Sequence, residues 1–309
     1  MSDSQRVKIL TATESGLGQR IDNFLVRKLK GVPKSHVYKI IRTGQVRVNK
    51  KRIKPVYKIN LKDEIRIPPV RIKETYKIKP GEKFLERINN SVIYEDKFLL
   101  VVNKPAGIAV HGGSGLNFGL IEAMRQLYPY HHGLELAHRL DKDTSGCLII
   151  AKKRSFLRLL HSALREGKVH KCYLALLSGK LKQSLVKCDK TLKKDTLKSG
   201  ERMVKADTAG KDSLTIFTVK QRFSQATLVE AELITGRTHQ IRVHAQSLGH
   251  PVAGDSKYGD EQKNKIFRNL GLRRMFLHAD KVKFPHPEKG EISLSAPLGD
   301  ELVKFLAKL

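Results

Sequence analysis

The stretch HRLDKDTSGCLIIAKK, residues 138–153, joins a polar turn to an apolar strand and decides how the second half of the chain folds. Residues 141–146 are turn-forming and backbone-bonding types, and Cys147–Ala151 is typical of a buried strand. Catalytic groups are often held on loops that a strand braces in this way. Asp141 is therefore a candidate catalytic acid, although Asp141 and Asp143 are equally well explained as acids that cap the turn.

Short apolar strands alternate with short helices over residues 90–309, which indicates an α+β fold. The predicted strands are Leu99–Val102, Cys147–Ala151, Tyr173–Ser178, Thr215–Gln221 and Thr227–Leu233. The predicted helices are Leu120–Leu127, Ser155–Glu166, His239–Ser247 and Glu301–Leu309. The Lys-rich region Lys180–Lys205 is expected to be an exposed insertion.

A second polar cluster is GRTHQIRVH, residues 236–244, in which Thr238 is expected to cap a helix. Neighbouring histidines His239, His244 and His250 lack the spacing of a zincin helix, and the sequence contains no HExxH. Three cysteines without CxxC spacing predict neither a zinc site nor a disulfide framework. The sequence therefore predicts no metal.

The charge of the chain is strongly positive, with 60 Lys and Arg against 30 Asp and Glu and a formal net charge of +30. Residues 31–60 contain nine basic residues and no acid, which predicts binding to a nucleic acid backbone. The alternative is a solvated face that aids solubility. The candidate RNA-binding residues are Lys34, Lys39, Arg42, Arg47, Lys50, Lys51 and Arg52.

The amino-terminal region has the pattern of a small module with two helices followed by a sheet. Gln19–Lys30 has apolar residues at helical spacing, and Ser35 is expected to cap a second helix. A hairpin turning at Asn49 and Lys50 and a strand at Asp63–Ile67 follow. The polar stretch after Pro69 is expected to be a linker. No apolar run is long enough for a membrane span or signal peptide, so a soluble cytoplasmic protein is expected.

Several blocks together resemble a known enzyme family. HRLDKDTSG, Lys171-Cys172-Tyr173, GRTHQIRVH and MFLHA, in this order, resemble the signature blocks of the RluA-type pseudouridine synthases, and NKPAGIAVHGGSG at residues 103–115 resembles their upstream block. The amino-terminal module resembles the S4 RNA-binding domain. The resemblance implies a mixed, mainly antiparallel catalytic sheet with flanking helices. The expected organisation is an extension (1–17), an S4-type domain (18–75), a linker (76–90) and a catalytic domain (91–309).

The resemblance also implies an activity and a role for individual residues. The expected reaction is isomerisation of uridines in large-subunit ribosomal RNA, unassembled or partly assembled, by a monomer that needs no cofactor, metal or membrane. Asp141 matches the catalytic aspartate, Tyr173 the tyrosine that stacks on the target base, and Arg242 the basic partner of the aspartate. Arg139 matches an arginine that fills the space of the flipped nucleotide, and Leu277 would form an apolar wall.

Two other functions fit parts of the sequence. A non-catalytic RNA-binding or ribosome-assembly protein would need only the basic module, without Asp141, Tyr173 and Arg242. An RNA N-glycosidase could use Asp141 and Asp143 as its carboxylate pair, but two acids in one turn are poorly placed to flank a sugar. For the isomerase, the sequence leaves open whether Asp141 adds to C1′ or C6 or removes the 2′ proton.

Overall fold

The structure is a computed structural model that describes residues 7–29, 31–70, 80–112, 116, 118–131, 133–196 and 202–309. The chain divides into two compact units, Met1–Lys77 and Ile78–Leu309. Among the described residues the longest helix has 12 residues, and none has the length and hydropathy needed to span a bilayer.

The first unit packs two helices against a four-stranded antiparallel sheet of order β1-β4-β2-β3. Its elements are β1 (Lys8–Thr11), α1 (Ile21–Lys28), α2 (Lys34–Arg42), β2 (Arg47–Val48), β3 (Lys51–Arg52) and β4 (Glu64–Ile67). The apolar faces of both helices are buried, led by Ile21, Leu25, Val37 and Ile41. The two predicted helices, the hairpin and the strand are confirmed.

The hairpin between β2 and β3 turns on two residues with positive φ, Asn49 at 48° and Lys50 at 64°. Two such residues define a type I′ turn, whose twist matches that of the flanking strands. The Asn49 side chain donates to Asp63 Oδ1 at 2.8 Å and accepts from the Glu64 N–H at 2.9 Å, which ties the turn to β4. All seven candidate RNA-binding residues are exposed.

The predicted cap at Ser35 is wrong. Helix α2 begins at Lys34 with Pro33 as its N-cap, so Ser35 lies inside the first turn. The fixed φ of proline suits a helix start without any side-chain hydrogen bond.

The second unit is built on a ten-stranded sheet whose main path is β10-β13-β14-β9-β15-β8-β6-β5, with β16 beside β15 and β7 beside β8. The strands on this sheet and the separate β11–β12 pair are β5 (Val92–Glu95), β6 (Leu99–Lys104), β7 (Glu135–Leu136), β8 (Ser145–Ala151), β9 (His170–Ser178), β10 (Leu185–Cys188), β11 (Leu192–Thr196), β12 (Arg202–Ala206), β13 (Thr215–Arg222), β14 (Ala226–Leu233), β15 (Leu277–His286) and β16 (Gly290–Ser295). The helices are α3 (Glu82–Asn89), α4 (Leu120–Leu127), α5 (Arg154–Arg165), α6 (Gln240–Ser247), α7 (Glu261–Asn269) and α8 (Asp300–Leu306).

The β8–β15 pair is parallel and the other described strand pairs are antiparallel, which confirms the predicted mixed, mainly antiparallel sheet. Gly146 makes the parallel pair possible: its φ is 109°, and a Cβ there would lie 2.2 Å from the carbonyl oxygen of Ala279. All five predicted strands and all four predicted helices are present within a few residues. The glycine-rich end of the upstream block, residues 113–115, lies outside the described residues.

Two expectations for this unit are corrected. The region Lys180–Lys205 is not a simple exposed insertion, because β10 extends the main sheet and β11 pairs with β12. Leu192 and Val204 of that pair are buried. The predicted linker 76–90 contains α3, in which Phe84, Leu85 and Ile88 pack against the main core at helical spacing.

Candidate active site

The five residues that the signature blocks single out line one cavity of about 620 Å³. These residues are Arg139, Asp141, Tyr173, Arg242 and Leu277. They come from the turn before β8, from β9, from α6 and from the start of β15. The fold therefore brings together residues that are up to 138 positions apart in the sequence.

The buried lysine Lys104 stabilises the turn that carries Asp141. The Asp141 carbonyl accepts the Thr144 N–H at 3.2 Å. The Lys142 carbonyl accepts both the Gly107 N–H at 2.9 Å and the Lys104 ammonium at 3.0 Å. Burial lowers the pKa of Lys104 to about 7, and its ammonium also reaches the carbonyls of Pro105 and Ile108. These contacts fix the backbone beside Asp141.

Arg242 divides its guanidinium between two carboxylates. Nη1 donates to Asp141 Oδ2 at 3.2 Å, while Nε and Nη2 donate to the two oxygens of Asp255 at 2.7 and 2.8 Å. The Arg242 side chain is 8% exposed, Asp141 is 20% exposed, and Asp255 is fully buried. The fork of Asp255 thus aims the remaining N–H of Arg242 at Asp141.

Asp255 is a site residue that no sequence motif indicated. It stands in the turn-like stretch GDSKYGD, where an acid has an ordinary explanation. Its Oδ1 also accepts the backbone N–H groups of Lys257 and Tyr258, at 2.8 and 3.0 Å. Burial raises the pKa of this carboxyl, but the hydrogen bonds and charge of Arg242 outweigh burial and bring the pKa below its usual value.

Tyr173 points its ring into the same cavity from β9. The residue is buried, and burial, with the nearby charge of Asp141, raises the pKa of its hydroxyl well above the usual value. The hydroxyl is therefore protonated at neutral pH. Leu277 enters from the neighbouring strand, where it pairs with Ala175, two residues along β9 from Tyr173. The two side chains give the cavity its flat and apolar surfaces.

Most other charged groups at the cavity are basic. Arg165, Lys171 and Arg237 line it with Arg139 and Arg242, whereas Asp141 is the one carboxylate of the described lining. Arg139 is exposed, whereas Lys171 is largely enclosed and burial lowers its pKa. Such a lining suits a ligand that carries negative charge.

The start of α6 differs from the prediction. Thr238 does not cap the helix; His239 is the N-cap, in the left-handed region at φ 55°, and makes no side-chain capping bond. The Gln240 side chain instead accepts the Arg237 N–H at 2.9 Å and the Thr235 hydroxyl at 2.8 Å. His239 Nε2 lies 3.7 Å from Asp141 Oδ2, so the histidine considered in the sequence only as a metal ligand borders the acid.

Asp143 is exposed and does not line the 620 Å³ cavity, although it lines an adjoining cavity of about 560 Å³ together with Asp141. His244 is buried and bonds to Thr215 and Ser213, and His250 bonds to the Ser178 carbonyl, so neither histidine faces Asp141. In the described part of the chain, no group of three or more His, Cys, Asp or Glu side chains is placed to hold a metal ion. The seven basic candidates belong to the first unit.

Comparison with known proteins identifies the family. The family model described as RNA pseudouridylate synthase matches residues 98–247, and the S4 domain model matches residues 19–65. The chain is 52% identical to "Ribosomal large subunit pseudouridine synthase C" of Pasteurella multocida over 99% of this chain and 95% of the relative. It is 50% identical to the protein of the same name from Escherichia coli K12, over 100% of this chain and 98% of the relative.

Among solved structures, "Human RNA Pseudouridylate Synthase Domain Containing 1" matches with a TM-score of 0.59 and 28% identity, over 72% of this chain and 86% of the human chain. These similarities confirm the family that the signature blocks indicated. The chain belongs to the RNA pseudouridylate synthase family and carries an S4 domain at its amino-terminal end.

Proposed function

We propose that this protein converts uridine to pseudouridine in large-subunit ribosomal RNA and that Asp141 is the catalytic carboxylate. The relatives that match over nearly the whole chain are named for this substrate. The observation that carries the proposal is the cavity itself: within its described lining, one carboxylate stands among five basic side chains, a buried tyrosine and an apolar wall. This set suits a nucleotide whose phosphates are bound by cations and whose ribose and base meet a single acid.

The reaction breaks the N1–C1′ bond, turns the detached uracil and joins C5 to C1′. The proton on C5 is released to solvent and N1 takes up a proton from solvent, so the composition of the nucleotide does not change. One carboxylate is sufficient because the base is retained and no water needs to be activated. Arg242 holds Asp141 through the 3.2 Å contact, with its own position fixed by Asp255.

Tyr173 has two functions in this proposal. Its ring gives the flipped uracil a flat surface on which to stack. Its hydroxyl, whose pKa is raised by burial, stays protonated and can donate a hydrogen bond to the base. Leu277 closes the apolar side of the cavity and keeps water from the reacting carbon. Arg139, which is exposed at the cavity mouth, takes the position that the flipped base leaves in the RNA.

The S4 domain supplies affinity for the RNA rather than chemistry. Its seven basic candidates are exposed, and cations of this kind bind phosphates with a strong dependence on salt. We further propose that the enzyme acts as a monomer in the cytoplasm, on RNA that is not yet fully assembled into subunits.

The N-glycosidase alternative finds less support in the site. Hydrolysis of a glycosidic bond uses two carboxylates that flank the sugar, about 5–10 Å apart. Asp143, the second acid of that mechanism, is exposed and lies two residues from Asp141 in the same turn, outside the lining of the 620 Å³ cavity. Two acids placed in this way do not flank a sugar from opposite sides. We therefore expect no free uracil among the products.

The test is a single-turnover assay on large-subunit ribosomal RNA transcribed with uridine labelled at C5, read by release of the C5 hydrogen and by nucleoside mass spectrometry. Wild-type protein is expected to form pseudouridine at discrete positions and Asp141→Asn to form none. Asp143→Asn is the matched control, since the same change two residues away should leave the rate within about twofold.

Two results would contradict the proposal. Pseudouridine formation by Asp141→Asn at the wild-type rate would remove the catalytic role of Asp141. Modification of transfer RNA transcripts, with none in ribosomal RNA, would leave the family reaction intact and overturn the proposed substrate.

A further inference from the structure

A chain of contacts leads from the β11–β12 pair to Asp141. The Val204 N–H on β12 donates to the hydroxyl oxygen of Tyr258 at 3.0 Å, and the same hydroxyl lies 2.8 Å from His239 Nδ1. His239 Nε2 then lies 3.7 Å from Asp141 Oδ2. Tyr258 is buried with Leu192 and Val204, so its hydroxyl has a fixed place between the strand and the histidine.

These contacts favour the tautomer of His239 that carries its proton on Nε2. The Tyr258 oxygen accepts the Val204 N–H, so its single proton is available to the nearest acceptor, which is His239 Nδ1. In a neutral imidazole the other nitrogen then carries the hydrogen. The His239 Nε2–H therefore faces Asp141.

The surroundings of His239 favour this neutral form. Burial lowers its pKa, and the charges of Arg242 and Lys257 act in the same direction, whereas those of Asp141 and Asp255 act against it. The backbone of His239 is in the left-handed region at φ 55°, a conformation that costs free energy for a residue other than glycine. This histidine is therefore held there by its surroundings. Its ring packs edge-on against Tyr258 with centroids 5.5 Å apart, which holds the side chain in this place.

We propose that His239 is a positioning residue for Asp141, oriented by Tyr258 and through it by the β11–β12 pair. This inference rests on the proposed function. Arg242 Nη1 and His239 Nε2 approach the same oxygen, Oδ2, from two directions. Arg242 Nη1 donates to Oδ2 at 3.2 Å, whereas the 3.7 Å separation of His239 Nε2 is longer than a hydrogen bond. Hydrogen bonds to catalytic groups are often long in the free enzyme and shorten when substrate binds. His239 is thus placed to become a second donor to Oδ2, which would leave Oδ1 for the substrate.

The β11–β12 pair acts in this arrangement through its backbone. The donor to the Tyr258 hydroxyl is the main-chain N–H of Val204, so the position of the strand sets the position of that hydroxyl. Val204 and Leu192 pack with Val243 of α6, the same helix that carries Arg242. The same packed cluster therefore positions both Arg242, through helix α6, and His239, through Tyr258.

The first experiment compares His239→Leu with His239→Gln. The two substitutions place similar strain on the left-handed backbone, but only glutamine keeps an N–H donor near the position of Nε2. At saturating RNA, His239→Leu is expected to reduce the single-turnover rate about 10- to 100-fold, since a misplacement of about 1 Å costs on this order. His239→Gln should recover most of the rate, with RNA affinity within about twofold for both.

The second experiment is a double-mutant cycle with Tyr258→Phe, which keeps the ring against Arg242 at 4.9 Å and removes the hydroxyl. Tyr258→Phe should slow the reaction less than His239→Leu. The double variant should be no slower than His239→Leu alone, because both changes act on one contact. Side-chain nitrogen NMR reads the tautomer on the wild-type protein, so it does not depend on the folding of a variant. It should find the hydrogen on Nε2 of His239.

A wild-type rate for His239→Leu, equal rates for the leucine and glutamine variants, multiplicative losses in the cycle, or hydrogen on Nδ1 would each overturn the inference. These outcomes differ from a failure of the proposed function. In that case wild-type protein would form no pseudouridine, or Asp141→Asn would form as much as wild type.

Discussion

The Arg242–Asp255 pair makes a strong prediction, because removing one partner leaves the other buried and charged. Asp255 is fully buried and receives two charge-assisted hydrogen bonds of 2.7 and 2.8 Å. Breaking a buried ion pair from one side costs about 3–5 kcal/mol. Asp255→Asn keeps an oxygen for the N–H groups of Lys257 and Tyr258, so the expected loss in the free energy of unfolding is at the lower end, about 3 kcal/mol.

The same change should slow catalysis more than it weakens RNA binding. Without the Asp255 carboxylate, the guanidinium of Arg242 can rotate and offer more of its N–H groups to Asp141. The Asp141 carboxylate then moves, and its negative charge is compensated by Arg242. We expect the single-turnover rate to fall at least about tenfold. Urea unfolding and the labelled-RNA assay measure the two effects. Asp260→Asn is the matched control, since this acid caps α7, is 39% exposed, and asparagine caps equally well.

The pH dependence of the stability difference checks the cause. The pKa of Asp255 lies below its usual value in the folded state. Its contribution is therefore fully present above the unfolded pKa of about 3.9 and is lost only as pH falls through the lower folded pKa. The difference between wild type and Asp255→Asn should be constant from about pH 8 to pH 5. Two results would contradict this role of Asp255: a stability difference that halves over this pH range, or an Asp255→Asn variant as stable and active as the Asp260→Asn control.

Three further predictions concern the tyrosine, the S4 domain and the half-buried histidine His138. Tyr173→Phe keeps the stacking ring and removes the hydroxyl, so RNA affinity should stay within about twofold while the rate falls about 100-fold; an equal loss in both would place the hydroxyl in binding instead. Replacing Arg42, Arg47 and Arg52 together by Gln should lower the slope of log affinity against log salt by about 2–3, read by filter binding; an unchanged slope would remove these side chains from the RNA contact. Burial lowers the pKa of His138 to about 3, and the nitrogen Nε2 accepts the Ile149 N–H, so stability should fall as pH drops below about 6.5, by up to about 1.4 kcal/mol per pH unit, and His138→Gln should flatten that slope in urea titrations.

The predicted strands succeeded where the sequence signal is local. Leu99–Val102 and Cys147–Ala151 are apolar runs bounded by charged and turn residues, and both lie in the middle of the sheet as β6 and β8. Strand β15 was missed although the buried residues Val282, Phe284 and His286 alternate with less buried ones. Its lysines and Pro285 conceal the period of two.

The β11–β12 pair was missed for a different reason. Each strand contributes one buried apolar residue, Leu192 and Val204, within a run of lysines. Composition therefore indicates a solvated loop, while the packing that stabilises the pair comes from Tyr258 and Val243, which are distant in sequence. No local pattern could have supplied that contact.

The catalytic candidates were predictable because motif blocks carry their identity, but the residues that position them were not. Asp255 has a common explanation in the sequence as a turn acid, and His239 was considered there only as a metal ligand. Their roles appear only when α6 places Arg242 2.7 Å from one carboxylate and 3.2 Å from another. A positioning residue is defined by the catalytic side chain that it orients, and this contact exists only in the folded chain.

The charge of the site raises a problem that Asp255 solves. A net charge of +30 attracts RNA to the enzyme. The same excess of cations tends to cancel the negative charge of a single carboxylate that lies among arginines. Arg242 is paired through two of its nitrogens with Asp255, so the group of Asp141, Arg242 and Asp255 carries a net charge of −1. Asp141 is thus held by an arginine whose charge is already compensated, which fixes the direction of the carboxylate and leaves its negative charge for the substrate.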